Sequence, residues 1–269
     1  MKHTIIDIVT EHSEAKLYTY ILDNSPEIDS ARKRPAIVIC PGGGYEFTSD
    51  REAEPIAIRM NTMGFNAFVL RYSVRPAKFP TSLQELATTV ALIRQNEDEW
   101  HVDGDKIIVA GFSAGGHLAA SLGVFWNRSF LSDSLGFSGD EIRPNGLILS
   151  YPVISSGDYA HKGSFDALIG VNSDERLREV SLEHQVSVDT PPTFIWHTYP
   201  DDVVPVENSF LFANALRKHK VPLEMHIFPD GGHGLALGTE ETKARDCDST
   251  VQFEVCNWID MAGRWIKGL

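Results

Sequence analysis

The sequence predicts an α/β fold: a mostly parallel central sheet, helices on both faces, and a short insertion over the sheet's C-terminal edge. Three observations predict it. Continuous apolar runs at 36–40, 106–110 and 146–151 read as strands buried on both faces, the mark of a parallel sheet. Segments of helical character stand between the strands, so the two alternate from residue 36 onward. Glycine-rich turns follow the strands at 42–44, 111–116 and 231–234.

The bulk properties fit this class. A chain of 269 residues can bury a substantial core, and we read it as a single domain over 1–269 with a small lid-like insertion at about 153–190. A formal net charge of -13 argues against nucleic acid or an anionic membrane surface as partner. No apolar run approaches the length of a bilayer span. The N-terminus carries an early acid, Asp7, and no signal-peptide core. Cys40, Cys247 and Cys256 are an odd, unpatterned set that fits buried thiols in a reducing compartment. The expected location is therefore the cytoplasm, with no metal site and no cofactor.

Taken in order, 5–12 and 15–22 read as two strands, an antiparallel hairpin at a sheet edge. The polar stretch 24–34 contains Pro26 and is a loop. Strand 36–40 ends in Pro41-Gly42-Gly43-Gly44-Tyr45, whose bare backbone N–H groups suit either a flexible loop or an anion-binding nest. Residues 54–63 read as a helix on the spacing of Ile56, Ile58 and Met60. Strand 66–72 and a loop at 76–80 follow. Helix 82–97 is amphipathic, with Leu83, Leu86, Val90 and Ile93 at helical spacing. Asp103-Gly104-Asp105 marks a turn. After strand 146–151 the composition turns polar across 153–190, with short helical pieces at 164–169 and 174–179. Strand 192–198, helix 206–219 (Phe210, Ala213 and Leu216 on one face), strand 223–228 and a closing helix at 249–266 complete the chain.

The chemistry centres on Gly111-Phe112-Ser113-Ala114-Gly115, a G-x-S-x-G stretch between strand 106–110 and a small-residue helical run. A serine on so sharp a turn has its hydroxyl exposed above a helix N-terminus, and flanking glycines avoid a Cβ collision with the neighbouring strand or helix. Taken alone the pentapeptide could be an ordinary glycine-rich turn; its strand and helix favour a nucleophile. A serine hydroxyl needs a base to take its proton and a carboxylate to orient that base. Among ten histidines, His233 stands in the glycine-rich loop after the final strand, where it can reach back to Ser113. His117 in the elbow helix and His197 inside a strand read as structural. Asp201 and Asp202 both follow strand 192–198, and one of them could instead cap the next helix. Two N–H donors must meet the oxyanion of acyl transfer. Ala114, at the helix start, offers one, and the nest at 42–44 the other.

With these residues in place, the chain resembles the α/β-hydrolase fold over nearly its whole length. Within it, the chain looks like the esterase group that holds bacterial acetylxylan-esterase-like and hormone-sensitive-lipase-like enzymes. The residues that carry the resemblance are Pro41–Tyr45, Arg71-Tyr72-Ser73, Gly111–His117, Asp201–Pro205 with Glu207-Asn208-Ser209, and Gly231–Gly234. It implies that Asp201 is the triad acid, since the family's D-x-x-V-P falls on it, and that Gly43 and Gly44 are the oxyanion glycines. Pro41 stands where hormone-sensitive-lipase relatives carry histidine, which points to the acetyl-esterase-like branch. The activity implied is a serine esterase on small acyl esters, acetylated sugars or oligosaccharides among them. Tyr45, Tyr151 and Tyr199 are candidates to stack on a sugar ring. The partner is a small-molecule ester, and a homo-oligomer stays open. An amide hydrolase on the same triad and a non-catalytic binding member of the fold are the alternatives.

Overall fold

The computed structural model describes residues 1–11, 13, 15–170 and 174–269. Among them eight strands form one sheet: β1 (Ile5–Asp7), β2 (Lys16–Tyr20), β3 (Arg34–Cys40), β4 (Asn66–Arg71), β5 (Val102–Phe112), β6 (Gly146–Ser150), β7 (Thr193–Thr198) and β8 (Leu223–Phe228). Their spatial order is β1-β2-β4-β3-β5-β6-β7-β8. The β1–β2 and β2–β4 pairs are antiparallel, and every pair from β4 to β8 is parallel. The edge hairpin is present but shorter than expected, and His12, the last residue of its expected first strand, lies outside the described residues.

Period-two alternation distributes each buried strand between two cores. In β3, Ala36, Val38 and Cys40 join the core on one face, and Ile37 and Ile39 the core on the other. In β5, Ile107 and Val109 face the first, and Ile108, Ala110 and Phe112 the second. The first core is covered by α2 (Thr81–Gln95), α3 (Ala114–Phe125) and α8 (Glu207–Lys218), the second by α1 (Glu54–Thr62) and α9 (Trp258–Gly268). Two short helices, α4 (Ser129–Leu135) and α5 (Gly139–Ile142), stand where the sequence assigned none. The 153–190 segment carries α6 (Lys162–Ile169) and α7 (Asp174–Glu179), and seats Phe165 and Leu182 in the first core. No helix among the described residues is long and apolar enough to cross a membrane.

Four expectations need correction. The turn at 103–105 lies inside β5: Asp105 N–H donates to Asp103 Oδ1, and pairing with β3 jumps from Arg34–Val102 to Ala36–Ile107, so the turn chemistry appears as a register break within a strand. In α1, Ile58 is exposed, and Ala57 joins Ile56 and Met60 in the buried set. In α8, Phe210 is exposed, and the buried face is Asn208, Ser209, Phe212 and Leu216. The closing helix begins only at Trp258, because residues 249–257 offer no continuous buried face; Phe253 is 82% exposed.

Candidate active site

Because β3, β5, β7 and β8 run parallel, their C-terminal ends share one rim, and four loops far apart in sequence meet there. Ser113 sits between β5 and α3 in a left-handed backbone conformation, φ 53 and ψ -119. The flanking glycines are required by close approach. A Cβ on Gly115 would stand 2.1 Å from Cys40 O, and one on Gly111 2.1 Å from Gly115 O. Backbone atoms cannot yield as a side-chain tip can.

Ser113 Oγ lies 2.8 Å from His233 Nε2, and His233 Nδ1 lies 2.7 Å from Asp201 Oδ2. An ionised carboxylate only accepts, so His233 Nδ1 carries the proton and donates it to Asp201. Nε2 is then the acceptor for the Ser113 O–H. Asp201 is fixed from three further directions. Its Oδ1 accepts the Val203 and Val204 N–H groups, and its Oδ2 also accepts from His197 Nε2 at 3.2 Å. Burial acts to raise the Asp201 carboxyl, but the hydrogen bonds from His197 and His233 outweigh it and hold it well below the ordinary carboxylate range. Asp202 is exposed, and both histidines bond to Asp201.

His197 is thus more than packing. Its Nε2 faces two acceptors, Asp201 Oδ2 and Val204 O, so that nitrogen bears the hydrogen. Its Nδ1 accepts from Ser209 Oγ on α8 at 2.8 Å. The sequence offered one signal for this role, the four-residue spacing from His197 to Asp201 across a strand end.

The Gly42–Gly44 loop forms the opposite wall. Gly43 (φ 133) and Gly44 (φ 66) take left-handed conformations, and a Cβ on Gly43 would meet Phe47 O at 2.1 Å. No acceptor among the described residues takes the Gly43, Gly44 or Ala114 N–H, so these donors stay available near Ser113. The cleft so formed has a volume of about 380 Å³ and is bordered by Phe47, Arg51, His161, Val203 and Gly234 besides the reactive groups. His161 comes from the 153–190 segment, and its Nδ1 lies 2.8 Å from the buried Ser164 Oγ.

The three tyrosines do not take the places expected of them. Tyr45 and Tyr151 are buried, at 3% and 1% exposure, with hydroxyls already engaged. Tyr199 is 65% exposed but does not border the cleft. Tyr151 O–H donates to Glu52 Oε1 (2.7 Å) and accepts from Ala236 N–H (2.9 Å), while its ring stands edge-on to His233 at 5.0 Å. Glu52 Oε2 accepts from Gly42 N–H at 2.7 Å. One buried carboxylate thereby joins the glycine loop to the loop that carries His233, a link sequence reading missed. Replacing it, Glu52→Ala, orphans two buried donors at about 1–3 kcal/mol each, so unfolding in urea should show a loss of about 2–6 kcal/mol.

Tyr45 O–H donates to His117 Nδ1 (2.9 Å), because His117 Nε2 must donate to Val180 O (2.8 Å). This histidine ties the glycine loop, the elbow helix and the 153–190 segment together. Burial pushes its pKa down to about 4. The folded protein therefore binds the proton less readily than the unfolded chain, whose histidine titrates near 6.5. The stabilisation is complete above that value and is lost as pH falls towards 4. A shift of this size corresponds to about 3 kcal/mol. His117→Gln, which keeps one donor and one acceptor but does not titrate, should lose about 3 kcal/mol less between pH 7 and pH 4 in urea unfolding. Equal losses would contradict this role.

Among the described residues no group of three or more His, Cys, Asp or Glu side chains is placed to hold a metal ion.

A serine at a strand–helix elbow, an acid after a later parallel strand and a histidine after the last one, all on one rim, define the protein as an α/β hydrolase. The chain belongs to the BD-FAE family, whose profile matches residues 24–216. It is 44% identical over 216 residues to endo-1,4-beta-xylanase B of Butyrivibrio fibrisolvens, covering 78% of this chain and 34% of that protein. It is 30% identical over 221 residues to an acetylxylan esterase of Xylanibacter ruminicola, covering 80% and 43%. The chain thus spans less than half the length of these relatives. Among solved structures it is similar to an acetyl ester-xyloside bifunctional hydrolase from Caldicellulosiruptor lactoaceticus (TM-score 0.85, 36% identity, 98% of this chain and 96% of the other). It is also similar to the carboxylesterase Cest-2923 of Lactobacillus plantarum (TM-score 0.89, 30% identity, 100% and 98%).

Proposed function

We propose that the chain is a carboxylic ester hydrolase acting on small acyl esters, acetyl esters of sugars or oligosaccharides foremost, through Ser113, His233 and Asp201. The observation that carries this reading is the unbroken hydrogen-bonded line from Ser113 Oγ through His233 to Asp201, beside N–H groups that no acceptor among the described residues takes. Ser113 Oγ attacks the ester carbonyl as His233 Nε2 takes its proton. Asp201 stabilises the imidazolium, and Ala114 with Gly43 and Gly44 receives the oxyanion. His233 returns the proton to the leaving alcohol. Water, activated by the same nitrogen, then releases the acid from Ser113. The acetyl and sugar preference draws support from the acetylxylan esterase and the acetyl ester-xyloside hydrolase to which the chain is similar.

The test is turnover of 4-nitrophenyl esters from acetate to octanoate, alongside acetylated xylo-oligosaccharides and aminoacyl amides. Acetate should be the best of the chromogenic series, acetate should be released from the oligosaccharides, and a fluorophosphonate probe should label Ser113. Faster cleavage of the amides, or a probe that leaves Ser113 unmodified, would overturn the proposal.

A further inference from the structure

His161 borders the cleft that holds Ser113 and His233, and the ester chemistry above gives it no task. It stands on a fixed mount. The helix that follows it, α6, seats Phe165 and Leu168 in the first core, and Asn208 Nδ2 holds Tyr159 O at 2.9 Å two residues upstream. Its Nδ1 lies 2.8 Å from Ser164 Oγ, and Ser164 is 1% exposed. That hydroxyl has no other acceptor among the described residues. A buried O–H left unpaired is costly, so Ser164 donates to Nδ1. Burial lowers the His161 pKa, the charge of His233 adds to this, and Asp201 opposes both, so the ring is neutral at pH 7. A neutral ring that accepts at Nδ1 carries its hydrogen on Nε2.

That Nε2–H has no partner among the described residues. It also keeps accessible surface, since the unpartnered buried side-chain atoms among those residues are Thr10 Oγ1, Arg34 Nε, Arg51 Nη2, Asn61 Oδ1 and Thr88 Oγ1. The two ring nitrogens of an imidazole point to nearly opposite sides. With Nδ1 turned to the buried Ser164, Nε2–H faces outward into the cleft. Cε1, between the nitrogens, lies 4.0 Å from the point where a Cβ on Gly44 would stand. An acetyl ester has two oxygens, and both are spoken for. Gly43, Gly44 and Ala114 receive the carbonyl oxygen, and the alkoxy oxygen takes the proton from His233. A small acyl group holds no third oxygen, so an acceptor for His161 belongs to the alcohol. We infer that His161 Nε2–H donates to an oxygen on the alcohol beside the acylated one, so that the preferred esters are those of polyols with a neighbouring free or etherified oxygen. This rests on the esterase reading above.

The experiment compares kcat/KM within two matched pairs, 2-hydroxyethyl acetate with propyl acetate and 2-methoxyethyl acetate with butyl acetate. In each pair an oxygen replaces a carbon, and each value is divided by that ester's own rate with hydroxide. Both ratios should be about fivefold in the native protein, because an ether oxygen can only accept and still meets the donor. They should fall towards one in His161→Phe. They should be partly kept in His161→Gln, whose amide can accept from Ser164 and donate into the cleft. Native ratios near one, or ratios that survive His161→Phe, overturn the subsite and leave the esterase reading standing. A preference for the hydroxyl that is absent for the ether overturns it as well, since His161 would then not be the donor. The native pairs alone can therefore refute it, even if His161→Phe does not fold. Native protein that cleaves none of the four esters and leaves a fluorophosphonate probe unreacted overturns the esterase reading, and the subsite with it.

Discussion

Ser113→Ala is expected to lower kcat on 4-nitrophenyl acetate by about a million-fold while leaving substrate affinity close to native. The methyl group removes the oxygen that stands 2.8 Å from His233 Nε2. The other candidate nucleophile nearby, Cys40, is fully buried, and burial pushes its thiol far above the ordinary range, so no thiolate takes over. The change is also conservative for folding. Residue 113 keeps a Cβ, and the strained φ of 53 is already borne by a residue with one. A circular-dichroism spectrum and melting temperature near native, with turnover at background, is the expected pair of results. Retained turnover would remove Ser113 from the chemistry.

The second large effect separates two adjacent acids. Asp201→Asn should cost about four orders of magnitude in kcat, and Asp202→Asn less than about twofold. The difference follows from donor and acceptor count. Asp201 Oδ1 receives the Val203 and Val204 N–H groups, which can only donate, so an asparagine must turn its carbonyl oxygen towards them. Its NH2 then faces His233 Nδ1 and His197 Nε2. To accept from that NH2, His233 must move its hydrogen to Nε2, and an Nε2–H cannot take the proton of Ser113. His197 meets the same conflict, because Val204 O still demands an N–H from it. Stability should therefore fall along with turnover in Asp201→Asn, and in Asp202→Asn neither should change. Comparable losses in the two variants would move the acid's role to Asp202.

The residues with strong positional signals were legible in the sequence. Strands 36–40, 106–110 and 146–151 are apolar on both faces, and only a buried parallel strand tolerates that pattern. Ser113 follows such a strand, and Asp201 and His233 follow the later parallel strands β7 and β8, with glycine or proline beside them, so their convergence followed from topology. Partnerships between polar side chains were not legible. Glu52 and Tyr151 are 99 residues apart, and neither has a neighbour pattern that foretells a buried bond. Tyr45 and Tyr151 were expected at the rim, yet their left-handed backbones (φ 60 and 37) accompany rings packed against Tyr72 and Trp196. Backbone sign at a non-glycine residue leaves no mark in composition. Phe210 looked like a core residue of α8 because it is large, and the buried face instead uses Asn208 and Ser209, whose side chains bond Ile154 N–H and His197.

The order of strands has one more outcome. His233 hangs from β8, the outermost strand of the sheet, and each of its six residues is only half-buried. Ser113 hangs from β5, in the interior of the sheet. Sheet margins open and reclose at a lower free energy than sheet centres. Warming should therefore detach the proton acceptor from an intact nucleophile, and activity should fade reversibly at temperatures where most amide hydrogens of β3 and β5 remain protected from exchange. The thermal ceiling of turnover is then governed by β8 and its seat beside α8, so reinforcing that margin would extend the working range more than further packing of the centre.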